Sequence, residues 1–183
     1  MNQRKSLKEL NLLDKFLFDE AMDDQENVKT MLDIILSQNT NLKHPPQTEK
    51  EQRTSTDNRQ IRLDVYAIDE DDVIYEVEAQ KENTHNLPKR SRLYQGIIDS
   101  KLLPPGIIDF NLLNEVLIVL IMPFDLFGYE LYRYTFKMQC EEGPEMELGD
   151  DATSIFLNSH GKHPELVSRE LIELLEYMEK STD

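Results

Sequence analysis

Residues 61–80 read IRLDVYAI, then the acidic run DEDD, then VIYEVEAQ. Each flanking segment alternates. Ile61, Leu63, Val65 and Ala67 fall on one face of an extended chain, and Arg62, Asp64, Tyr66 and Ile68 on the other. In the second segment Val73, Tyr75, Val77 and Ala79 share an apolar face, which leaves Glu76, Glu78 and Gln80 on the polar one. Period-two alternation rich in β-branched and aromatic residues, broken by a polar turn, predicts a hairpin. A three-residue turn at 70–72 puts Asp64 opposite Glu78, with Cβ atoms about 4.5–5.5 Å apart. A slip of one residue would send the two acids to opposite faces. In the unslipped register two carboxylates meet on adjacent strands and repel each other unless a cation lies between them. That arrangement suits Mg²⁺, which binds a couple of carboxylates together with waters and phosphate oxygens. On spacing alone, a solvated sheet face carrying acids is the commoner outcome.

Upstream, residues 6–38 predict helix. Leu7, Leu10, Leu13 and Leu17 repeat at helical spacing, as do Val28, Leu32 and Ile35, and Asp23–Asp24 before Glu26 mark a restart. Residues 39–60 are polar, carry Pro45 and Pro46, and read as a loop with room for a short strand near 52–56. Downstream, Leu87–Pro88 opens a helix over 87–102 with Leu93, Ile97 and Leu102 as its apolar face. Residues 115–122, EVLIVLIM, form a continuous apolar run that predicts a strand buried on both sides. Residues 129–138 read as an outer strand and 153–158 as a short one. A last amphipathic helix over 164–180 turns Leu166, Leu171, Leu174, Leu175 and Met178 inward. The order predicts an α/β (mixed α+β) fold with a central mixed sheet and helices on its faces. One domain over 1–183 is expected: N-terminal helices (1–40), a loop (41–60), a core (61–123) and C-terminal strands and helix (124–183).

The chain has 183 residues, 39% hydrophobic and 31% charged, enough for a real core without staples. Its single cysteine, Cys140, rules out an internal disulfide framework and reads as a small buried hydrophobe. The start lacks an apolar signal segment and no run reaches a membrane span, so a cytoplasmic protein without a membrane partner is expected. His85 and the His160/His163 pair lack zinc-ligand spacing. A net charge of −16 argues against nucleic acid as a partner. The charge is uneven, however. Residues 81–101 hold Lys81, Lys89, Arg90, Arg92 and Lys101 against Glu82 and Asp99, and a bound divalent cation would invert the sign of an acidic site.

Arg62-Leu63-Asp64-Val65, an acidic turn, and Glu78-Ala79-Gln80 together resemble the PD-(D/E)XK nuclease superfamily. More narrowly, they resemble the Rpn family of recombination-promoting nucleases and transposases. Leu87-Pro88-Lys89-Arg90-Ser91-Arg92-Leu93-Tyr94-Gln95 is similar to that family's next helix. Leu117 to Pro123, Tyr132 to Phe136, and Ile155-Phe156-Leu157-Asn158 before Gly161-Lys162 are similar to its later strands and turn. The likeness spans roughly residues 10–180. Ala79 stands where the family usually has Met, the turn lacks the glycine it often carries, and Gln80, a form the family shares, stands where the wider superfamily has lysine.

The resemblance implies a restriction-endonuclease-like core and a metal-dependent DNA endonuclease linked to transposition or recombination. It implies Asp64, Glu78 and the Ala79 carbonyl as ligands of Mg²⁺ or Mn²⁺. Gln80 would be a catalytic positioning group, because an amide cannot take a proton near neutral pH. Asp14, on the first helix, and Glu76, on the same sheet face, are additional candidates. Lys89, Arg90, Arg92, Tyr94 and Gln95 are the candidate DNA contacts, and a homodimer is compatible with this reading. The alternative is a catalytically weak or inactive domain of the same fold, serving as an interaction or defence-associated module. A third reading, an acidic DNA mimic, would require regularly spread surface charge.

Overall fold

Among the described residues, four α-helices and six strands succeed one another in the order α1 (Lys15–Met22), α2 (Gln25–Leu36), β1 (Gln47–Gln52), β2 (Ile61–Ile68), β3 (Ile74–Ala79), α3 (Leu87–Asp99), β4 (Val116–Met122), β5 (Arg133–Phe136), β6 (Ala152–Asn158) and α4 (Arg169–Glu179). This computed structural model describes residues 10–52 and 61–180. Leu7 and residues 53–60, which include most of the strand expected near 52–56, lie outside the described residues. The polar segment does supply an edge strand, β1, which starts earlier than expected.

The strands form one mixed sheet in the order β1-β2-β3-β4-β6-β5. β1, β2 and β3 are antiparallel, β3, β4 and β6 are parallel, and β5 returns antiparallel at the far edge. Helix α3 makes the long crossover that parallel β3 and β4 require. The result is a restriction-endonuclease-like α/β fold, as the sequence predicts.

Both faces of the sheet are covered. Every residue of β4 is buried, because it sits mid-sheet between parallel neighbours. Leu117, Val119 and Ile121 face the core built with α1, α2 and α4; Val116, Ile118, Leu120 and Met122 face the core built with α3 and the 124–134 segment. The β2–β3 turn is set by Asp69. Its carboxylate accepts the N–H groups of Asp71 (3.0 Å) and Val73 (2.9 Å) and the hydroxyl of Tyr75 (2.7 Å). Asp72 closes the turn at a φ of +62°, in the left-handed region. Residues 70–72 are therefore the turn, and the pairs Val65–Val77 and Tyr66–Glu76, continued one step, set Asp64 opposite Glu78.

Several sequence expectations need correction. The alternation of β2 slips at Asp64: Val65 and Ala67 join the α1/α2/α4 core, but Ile61 and Leu63 join the α3 core. The register of β1 brings Glu49, at a φ of +49°, level with this slip. The polar hairpin face is not solvated, since α3 covers it. Leu93 on α3 and Leu166 before α4 are exposed, because the buried faces of the two helices run through Leu87, Tyr94, Ile97 and Ile98 and through Leu171, Leu175 and Met178. The last helix starts at Arg169, after a single short turn at Pro164–Leu166. Cys140 is only half-buried and lies on the 137–149 excursion outside the core.

Candidate active site

The first half of β2, the C-terminal end of β3 and the N-terminal parts of α1 and α3 surround a cleft of about 700 Å³. This volume is within the range of small-molecule and cofactor sites. Asp64, Glu78, Ala79 and Gln80 all line it, with Lys15 from α1 and Arg90 from α3. The hairpin register explains why strand residues so close in space carry the acids. Burial by α3 explains their electrostatics. Asp64 is 5% exposed and Glu78 8%. Burial raises the Asp64 carboxyl above its ordinary range, with Lys15 opposing the shift. Burial pushes Glu78 up to about 7, the Arg90 charge pulling down and the Asp64 charge pushing up.

Each acid has a cationic partner. Lys15 Nζ donates to Asp64, and Arg90 donates to both Glu78 and the Gln80 amide oxygen. The Arg90 guanidinium lies 5.8 Å from the centroid of the Tyr94 ring, so Tyr94 supports it from the α3 side. Glu78 Oε2 is buried without a hydrogen-bond partner among the described residues. A buried carboxylate oxygen of this kind is the sort of group that a cation satisfies. Among the described residues, no group of three or more His, Cys, Asp and Glu side chains is arranged to hold a metal. The donor set is instead two carboxylates on an open cleft, which fits Mg²⁺ because that ion keeps several waters and uses few protein ligands.

The remaining candidates divide. Glu76 does not line the cleft; it is completely buried, and its Oε1 accepts the Asp64 N–H at 3.3 Å. Burial, reinforced by the charges of Glu78 and Asp64, holds its carboxyl well above the usual range. A solvated role for Glu76 is thus excluded. Asp14 precedes α1 at the cleft wall without a side-chain capping bond; its carboxylate lies 2.5 Å from Lys81 Nζ and accepts the Asn11 N–H at 3.0 Å. Lys89, Arg90 and Tyr94 line the cleft. Arg92 and Gln95 do not; Arg92 is exposed elsewhere on α3, and Gln95 bonds Asp99 at 3.0 Å. Nothing in the sequence marks Lys15 as part of the site beyond its adjacency to Asp14, and nothing local reveals that α1 packs its first turn against β2.

The family model for PD-(D/E)XK nuclease family transposases matches residues 15–179. The chain belongs to this family. The matched span runs from α1 to the last residue of α4, so it contains every strand and helix that builds the PD-(D/E)XK cleft. The sequence matches none of the curated proteins. Among the described residues no helix is long and apolar enough to cross a membrane.

Proposed function

We propose that the protein is a Mg²⁺- or Mn²⁺-dependent DNA endonuclease that hydrolyses phosphodiester bonds and acts in the cytoplasm in transposition or recombination. The observation that carries this reading is the meeting of Asp64, Glu78 and Gln80 in one cleft of a PD-(D/E)XK family chain. Asp64, Glu78 and the Ala79 carbonyl would hold the metal. A divalent ion held there would supply an activated water and charge neutralisation at the scissile phosphate. Gln80 orients the attacking water or a phosphate oxygen through its amide and takes no proton. Glu76 positions Asp64 by accepting its backbone N–H from beneath the cleft. Lys89 and Arg90 contact the DNA backbone, and the Tyr94 ring keeps Arg90 in place.

Supercoiled-plasmid nicking in Mg²⁺ or Mn²⁺ tests the reading. Asp64→Asn and Glu78→Gln, which keep shape and remove charge, should each lower the rate at least about a hundredfold. Cleavage that survives both substitutions refutes the site. The net charge of −16 favours a second reading, an inactive module of the same fold that acts through protein partners. That reading requires a folded wild type that neither nicks DNA nor binds divalent metal.

A further inference from the structure

The acids of the cleft are already neutralised from within the chain. Lys15 Nζ bonds Asp64 and keeps Asp19 as a second carboxylate at 3.2 Å. Arg90 bonds Glu78 and Gln80 together. These pairs differ from the molecule's surface ion pairs. In Arg62–Glu49, Lys43–Asp72, Lys137–Glu147 and Lys162–Glu130 both side chains are at least 43% exposed, and such pairs contribute little. The Asp64 and Glu78 side chains are only 7% and 11% exposed. A buried carboxylate that is ionised needs a counter-charge, and Asp64 and Glu78 each bond a cationic side chain, so any cation arriving at them competes with Lys15 and Arg90. Both cationic side chains line the same cleft, so once displaced they remain beside whatever lies in it.

We propose that Lys15 and Arg90 are exchangeable counter-ions: they neutralise Asp64 and Glu78 until a divalent cation takes the carboxylates, and then turn to backbone phosphates of nucleic acid in the same cleft. The inference rests on the nuclease reading above. It makes metal and nucleic acid bind with positive coupling, because each draws the internal cations away from the carboxylates or frees them, and such coupling is reciprocal. Lys15 and Arg90 are positioning residues for the metal and direct contacts for the phosphate.

The test is Mn²⁺ calorimetry on EDTA-stripped wild type, Lys15→Met, Arg90→Gln and Asp64→Asn, together with anisotropy of a labelled phosphorothioate duplex with and without Mn²⁺ at constant ionic strength. Lys15→Met should bind Mn²⁺ about tenfold more tightly than wild type, because a competing charge beside the ion is gone. It should also melt at a lower temperature without metal. In the wild type Mn²⁺ should raise duplex affinity, and that gain should shrink in Lys15→Met. Lys15 is half-exposed, so this variant decides even if circular dichroism shows Arg90→Gln misfolded. If wild type binds Mn²⁺ and Asp64→Asn does not, but Lys15→Met binds no more tightly than wild type, the exchange is refuted and the metal site stands. No Mn²⁺ binding by any of the proteins refutes both.

Discussion

Replacing Asp69 with alanine should destabilise the protein by about 2–6 kcal/mol, although Asp69 lies outside the cleft. The Asp69 carboxylate satisfies three donors: the N–H groups of Asp71 and Val73 and the Tyr75 hydroxyl. Tyr75 is 1% exposed, so its hydroxyl finds no water when Asp69 is removed, and a stranded buried donor costs about 1–3 kcal/mol. The two backbone groups are part-buried and recover some hydration, which brings the rest to about 0.5–1.5 kcal/mol each. Equilibrium urea denaturation followed by circular dichroism measures the total, and Tyr75→Phe supplies the control. In the Tyr75→Phe background the Asp69→Ala penalty should fall by about 1–2 kcal/mol, because no hydroxyl is then left unpaired. The same change loosens the turn that holds Asp64 opposite Glu78, so nicking should fall more than the folded fraction does. A penalty within about 0.5 kcal/mol of zero, the scatter of ordinary surface substitutions, would refute the assignment of the turn to Asp69, and so would a penalty unchanged by Tyr75→Phe.

Two further outcomes follow from the buried polar groups and the close contacts. Glu78 has a folded-state pKa pushed up to about 7 from an ordinary 4.5, mainly by burial. The folded protein therefore binds a proton that the unfolded chain has lost. Its contribution to stability is fully present below about pH 4.5 and declines as pH rises toward 7, by up to about 3 kcal/mol. In EDTA, Glu78→Gln should flatten that decline, as read by urea denaturation across pH 4.5–7.5; a slope identical to wild type would count against the buried placement of Glu78. Gly161→Ala would put a Cβ 2.5 Å from the Tyr132 ring and 2.7 Å from its backbone nitrogen, so the turn after β6 must shift. The expected loss is about 1–3 kcal/mol in a thermal melt, and an unchanged melting temperature would contradict the close approach.

Much of the fold was legible because its signals are local. The unbroken, β-branched apolar run at 116–122 reads as a strand buried on both sides, and it is one. Pro88 at the start of α3 and Asp24 accepting the Glu26 N–H are terminal chemistry that a few adjacent residues specify. The expected hairpin register also holds, since Asp69 and the left-handed Asp72 select a three-residue turn. The expectations that fail depend on contacts far along the chain. The spacing of Leu93 predicts an inward side chain, yet which stripe of α3 is buried depends on how the helix lies across β3 and β4. The slip at Asp64 depends on pairing with β1, a strand with almost no apolar signal.

Residue types and order alone therefore determined most of the sheet-forming segments and the placing of the acids on one hairpin, because period-two patterning and turn chemistry act within a few residues, while the resemblance of short motifs pointed to the family. Tertiary structure alone decided what those acids are. α3 removes Glu76 and Glu78 from water, and α1 delivers Lys15 to a carboxylate 49 residues away. Burial and counter-charge are properties of assembled surfaces, and no local pattern encodes which cation will meet which acid.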